Sequence, residues 1–114
     1  LYEMVRGERR VSATKGITMN VNVLRSESTG SVHIRSADPA EPPAIRFNFL
    51  STEHDRAGIV KVLRKGRELM ATSPLKEVTG EEIAPGAHLQ SDAELLEWVR
   101  HNAETTYHPV GTAK

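Results

Sequence analysis

The run Thr106-Tyr107-His108-Pro109-Val110-Gly111-Thr112 sets a histidine between an aromatic residue and a proline-glycine turn. Proline disfavours helix at the residue before it, so His108 is expected on extended backbone at a helix exit and not on a helix face. Gly111, with no Cβ, allows the backbone to approach something flat or charged. A histidine held this way suits a catalytic base beside a bound cofactor, since imidazole titrates near neutrality. The residues alone leave a purely structural turn equally open.

The other candidates have plainer explanations. His33 falls on the polar side of an alternating run and His54 in the first turn of a helix, so both are expected at the surface. His88 lies in a loop with no partner at a useful spacing, and His101, late in a helix, is explained by the helix dipole. No two histidines stand at the spacing of known metal motifs, so no metal site is expected. Gly30, Gly80 and Gly86 belong to turns, and no GxGxxG follows a strand, so the chain shows no dinucleotide fingerprint. Asp38, Glu41 and Glu53 flank loops as solvated acids, and Trp98 reads as a core or interface anchor.

The elements that must position His108 follow from patterning. Residues 1–16 are charged and without period, and are expected to be an irregular arm. Ile17, Met19, Val21 and Val23 alternate with Thr18, Asn20 and Asn22, as a half-buried strand requires. After a turn at 26–30, Ser31–Arg35 alternates again, and the two runs are expected to pair antiparallel. Three prolines between Ala37 and Pro43 make a stiff connection, and Ile45, Phe47 and Phe49 suggest a short third strand. Strands are thus placed in 17–49 and helices in 53–103. Thr52 with Asp55, and Ser91 with Glu94, read as helix starts; periodicity predicts helices over about 53–71 and 92–103. Gly58 and Gly66 weaken the first by up to roughly 1 kcal/mol each but let another element come close.

The 114 residues suffice for one domain with a thin core. Fifteen basic and fifteen acidic side chains cancel, so nucleic acid and anionic membrane are poor partners. There is no cysteine, which excludes disulfides and thiolate chemistry, and no apolar run long enough to span a membrane. The first residue is Leu1 and the last motif runs to the final residues, so the chain is expected to be a piece of a larger protein.

Three stretches together resemble a known family: Ser28-Thr29-Gly30-Ser31-Val32-His33-Ile34-Arg35-Ser36-Ala37-Asp38-Pro39; Pro43-Ala44-Ile45-Arg46-Phe47-Asn48-Phe49-Leu50-Ser51 followed by Asp55; and Tyr107-His108-Pro109-Val110-Gly111-Thr112. They resemble the C-terminal substrate-binding domain of glucose-methanol-choline (GMC) flavin oxidoreductases, most of all the choline dehydrogenase-like branch, over roughly residues 17–114. The resemblance implies an α+β fold, an antiparallel sheet backed by helices, walling an active site completed by a separate FAD-binding half. It implies that His108 is catalytic, that Pro109 and Gly111 lie against the flavin, and that Tyr107 meets the substrate, where an aromatic ring would suit a cation such as choline. The family's second catalytic residue and its FAD fingerprint lie outside this chain.

The expected function is that of a substrate-domain fragment of an FAD-dependent alcohol dehydrogenase, converting a primary alcohol, choline being one candidate, to an aldehyde. The fragment alone is expected to be inactive, to bind no FAD and to self-associate through the surface meant for the missing half. The parent is expected in the cytoplasm or associated with a membrane. The rival reading is a non-enzymatic module whose sheet and proline-rich loop dock a protein partner.

Overall fold

Thr52, on extended backbone, accepts a hydrogen bond from the Asp55 N–H at 3.2 Å and so starts helix α1, Glu53–Met70. In the computed structural model, which describes residues 2–5, 8–13, 15–108, 110 and 111, this is the longest element. A single turn, α2 (Leu75–Val78), follows, and α3 runs Asp92–Asn102. The capping box at the start of α3 is complete: Ser91 Oγ accepts from Glu94 N at 3.2 Å while Glu94 Oε2 accepts from Ser91 N at 2.9 Å. Both long helices lie where their start signals and apolar spacing put them.

Val60 and Leu63 of α1 meet Leu95 and Val99 of α3, and these four side chains are the buried apolar core. Val21, Leu50, Ile59, Leu89, Leu96 and Trp98 pack around it, which gives Trp98 the anchoring place expected of it. The Arg67 guanidinium binds Glu82 at 2.9 Å and the carbonyls of Leu89 and Gly86 at 2.8 and 3.0 Å. One side chain of α1 thereby fastens the loop that leads into α3.

The strands depart from expectation in two places. Tyr2–Val5 and Glu8–Val11 form an antiparallel ladder and not an irregular arm: β1 (Tyr2–Val5) pairs with β2 (Glu8–Val11), Tyr2 opposite Val11 and Val5 opposite Glu8. A two-residue separation containing a glycine is a hairpin signal that the charged composition obscures. The run 17–23 enters no ladder, and β3 (Ser31–His33) pairs instead with β4 (Ala44–Arg46), Val32 opposite Ile45. Alternation specifies which side chains share a face but not which segment supplies the hydrogen-bond partner. Met19, Val21 and Val23 of that face are used, however, against helix α1. Val21 Cγ1 and Met19 Sδ lie 3.2 and 3.5 Å from where a Cβ on Gly66 would stand, and Val23 Cγ2 lies 3.4 Å from that of Gly58. The two helix glycines therefore serve close approach, with residues 19–23 running antiparallel to α1.

Two two-stranded antiparallel ladders and three helices make the described residues an α+β unit. No described helix is long and apolar enough to cross a membrane.

Candidate functional site

Asp55, in the first turn of α1, is only 3% exposed and turns away from its own helix. Its carboxylate accepts from Ser26 Oγ at 2.6 Å, Glu27 N at 2.9 Å and Ser28 N at 2.8 Å. Burial alone pushes such a carboxyl up; the hydrogen bonds from Ser26, Ser28 and Glu27 outweigh it and hold Asp55 well below the ordinary carboxylate range. A carboxylate depressed in the folded state contributes stability that is full above the unfolded value and is lost as pH falls toward the folded one. Between about pH 5 and about pH 3, therefore, the chain should lose stability more steeply than its Asp55→Asn variant, which cannot titrate there. Parallel urea-midpoint curves for the two proteins over that range would sink this assignment.

Ser28, held by Asp55, is itself buried, and its Oγ accepts from Ser51 N at 3.0 Å and Thr52 N at 3.4 Å at the entry to α1. Asn48 Nδ2 donates to Thr29 O at 3.0 Å. Asn48 and Leu50 have φ of 57° and 56°, left-handed values that turn the chain sharply from β4 into the helix. Arg56 Nη1 stabilises that turn by donating to the carbonyls of Leu50 and Ser51 at 3.0 and 2.8 Å. Gly30 sits tightly against β4, since a Cβ there would stand 2.0 Å from Arg46 O and 2.7 Å from Phe47 O.

Onto this platform comes the tail. Gly30 N donates to Gly111 O at 3.1 Å, and a Cβ on Gly111 would stand 3.4 Å from Ser28 O. Gly111 has φ +81°, which glycine alone adopts without strain. Tyr107, with φ 61°, adds a left-handed turn directly before the histidine; its N–H donates to Thr105 Oγ1 at 3.0 Å and its ring is 76% exposed. His108 is exposed, and among the described residues no hydrogen bond or ion pair engages its imidazole. Pro109, expected to border a cofactor, lies outside the described residues. The structure thus fixes Gly111 against Ser28 and Gly30 and leaves Tyr107 and His108 presented outward.

The remaining histidines are placed apart from the tail. His33 and His54 are exposed, His54 Nδ1 standing 3.9 Å from Glu27 Oε1; His88 lies over Gly86; His101 Nδ1 is 2.9 Å from Glu97 O. Among the described residues no cluster of three or more histidine, aspartate or glutamate side chains could hold a metal. Sequence reasoning missed the supporting group of Asp55, Ser28, Gly30 and Asn48. Asp55 reads locally as a capping residue and Gly30 as a turn glycine, and only the long-range contacts reveal their use.

Beside the platform, β3 and β4 expose an apolar face. Val32 and Ile45 are opposite one another, Ile34 and Phe49 are 88% and 63% exposed, and the Phe47 and Phe49 rings stack at 5.1 Å.

A family model described as GMC oxidoreductase matches residues 26–114, from the Ser26 that binds Asp55 through the tail. The chain belongs to the GMC oxidoreductases. Oxygen-dependent choline dehydrogenases of Staphylococcus aureus strains JH9, Newman and JH1 are each 40% identical to it over 106 residues, 93% of this chain and 19% of theirs. The chain therefore spans about a fifth of the length of the curated relatives it matches. Flavin is the cofactor such a family implies, and the tail is compatible with one wall of its site: an outward imidazole with no partner among the described residues, an exposed aromatic ring and a left-handed glycine backbone.

Proposed function

We propose that this GMC oxidoreductase chain is the substrate-side part of an FAD-dependent alcohol dehydrogenase in which His108 is the base. The observation that carries the reading is the tail itself: one end fixed to Gly30 through Gly111, with His108 directed outward. FAD, when bound by the rest of the protein, supplies the acceptor for the hydride. The contribution of this chain is the proton. A His108 ring nitrogen takes the hydroxyl proton as the alcohol carbon becomes a carbonyl, the general-base role that imidazole serves most often. Pro109 and Gly111 are proposed to border the flavin.

Choline is the favoured substrate, because the similar staphylococcal proteins are named for it and because Tyr107 offers an open aromatic face to a quaternary ammonium. The exposed Val32, Ile34, Ile45, Phe47 and Phe49 face is proposed to rest against the flavin-binding half, and by itself this chain is inactive. The full-length protein should carry a flavin spectrum that bleaches anaerobically on adding choline. A flavin that stays oxidised with choline and with other primary alcohols would refute the reading.

A further inference from the structure

We propose that Asp55 is a positioning residue for His108, acting through Ser28, Gly30 and Gly111. The inference rests on the reading of His108 as the base. Asp55 stands on α1, whose Val60 and Leu63 lie in the core, so its carboxylate has a rigid support. From there it grips residues 26–28 with hydrogen bonds of 2.6, 2.9 and 2.8 Å, two of them from backbone N–H groups, which fixes the path of the chain into Gly30. Gly30 has no room to shift toward β4, where backbone oxygens crowd its Cβ direction, and its N–H points to the Gly111 carbonyl at 3.1 Å.

On the other side, the tail leaves α3 at Asn102, and residues 103–108 and 110 are all exposed. Among residues 105–108, 110 and 111, Gly111 makes the long-range backbone hydrogen bond, to Gly30. His108 is therefore held between the end of α3 with Glu104 behind it and this bond ahead of it. A base must be held within a fraction of an ångström of its productive place, and groups behind it that lock its backbone serve that need. Asp55, 53 residues earlier in the sequence, is where that lock is rooted in the core.

The test is a double-mutant cycle in the full-length, FAD-loaded protein, read as the stopped-flow rate of flavin reduction per bound FAD at saturating alcohol. Asp55→Asn should slow reduction about tenfold with FAD content and KM near normal, and should slow it less than about twofold further when His108 is already alanine, because residues acting as one unit are not additive. Thr79→Ala removes a hydrogen bond to Leu75 O beside α2, away from both anchors of the tail, and should leave the rate per bound FAD unchanged. Ser26→Ala, which removes only the 2.6 Å bond, is the milder second variant and should slow reduction in the same direction by a smaller factor if Asp55→Asn does not fold.

An unchanged rate in the foldable variant, an equal loss in the presence and absence of His108, or a matching loss in Thr79→Ala overturns the proposal. The two readings separate cleanly. If His108→Ala slows reduction and the Asp55 and Ser26 variants do not, only the positioning role fails; if His108→Ala itself leaves reduction unchanged, the base assignment fails and takes the positioning role with it.

Discussion

Full-length protein carrying His108→Ala should retain bound FAD and a nearly normal KM for its alcohol, yet reduce flavin about a hundredfold or more slowly, since a positioned acid-base group contributes roughly 10² to 10⁴. The loss falls in the chemical step because the imidazole is exposed and packs against none of the core residues, so removing it opens no cavity. His54→Ala and His88→Ala are the controls, one an exposed residue of the first turn of α1, the other lying over Gly86. Stopped-flow reduction normalised to bound FAD distinguishes a base from a structural turn: a turn residue would lower the yield of folded protein and leave the rate per flavin intact. An unchanged rate would remove the catalytic assignment.

Gly30→Ala should have the largest effect on stability. The added methyl would stand 2.0 Å from Arg46 O and 2.7 Å from Phe47 O, both backbone atoms of the ladder and its continuation, which cannot swing aside as a flexible side chain can. Either β4 moves away from β3 or Gly30 withdraws from Gly111, and overpacking of this kind costs about 3 kcal/mol. The midpoint of urea unfolding should fall accordingly, with little change in slope. Gly80 supplies the contrast. A Cβ there meets nothing within 4 Å, so Gly80→Ala should be neutral or stabilise by up to about 1 kcal/mol through the unfolded chain. Equal midpoints for Gly30→Ala and the unaltered protein would show that the platform tolerates what its geometry forbids.

The same contrast separates local from long-range information in this chain. Both long helices were legible because their causes are local: Thr52 and Ser91 cap them, and Ile59, Val62, Leu63, Leu95, Leu96 and Val99 recur at helical spacing within single segments. The glycines at 58 and 66 announced a close neighbour, and their neighbours proved to be Met19, Val21 and Val23. The α+β class was likewise expected, as what the family resemblance implies, and the two antiparallel ladders and three helices agree with it.

Strand pairing was not. Ser31–His33 presents the same alternation whether its partner is residues 17–23 or Ala44–Arg46, and the choice depends on the turn at Asn48–Leu50 and on Gly30 nesting under the Arg46 carbonyl. The role of Asp55 was hidden for a related reason. An acid in the first turn of a helix satisfies every local rule, so nothing in the segment reveals that its carboxylate is buried by residues 27 to 29 positions earlier. Likewise the residue types of the tail carry no mark of what holds it. Residue order determines which groups can do chemistry and which segments can be helices; only tertiary contacts between distant segments, Asp55 to Ser28 and Gly30 to Gly111, decide where that chemistry is held, because hydrogen-bond partners far apart in sequence leave no periodicity to read.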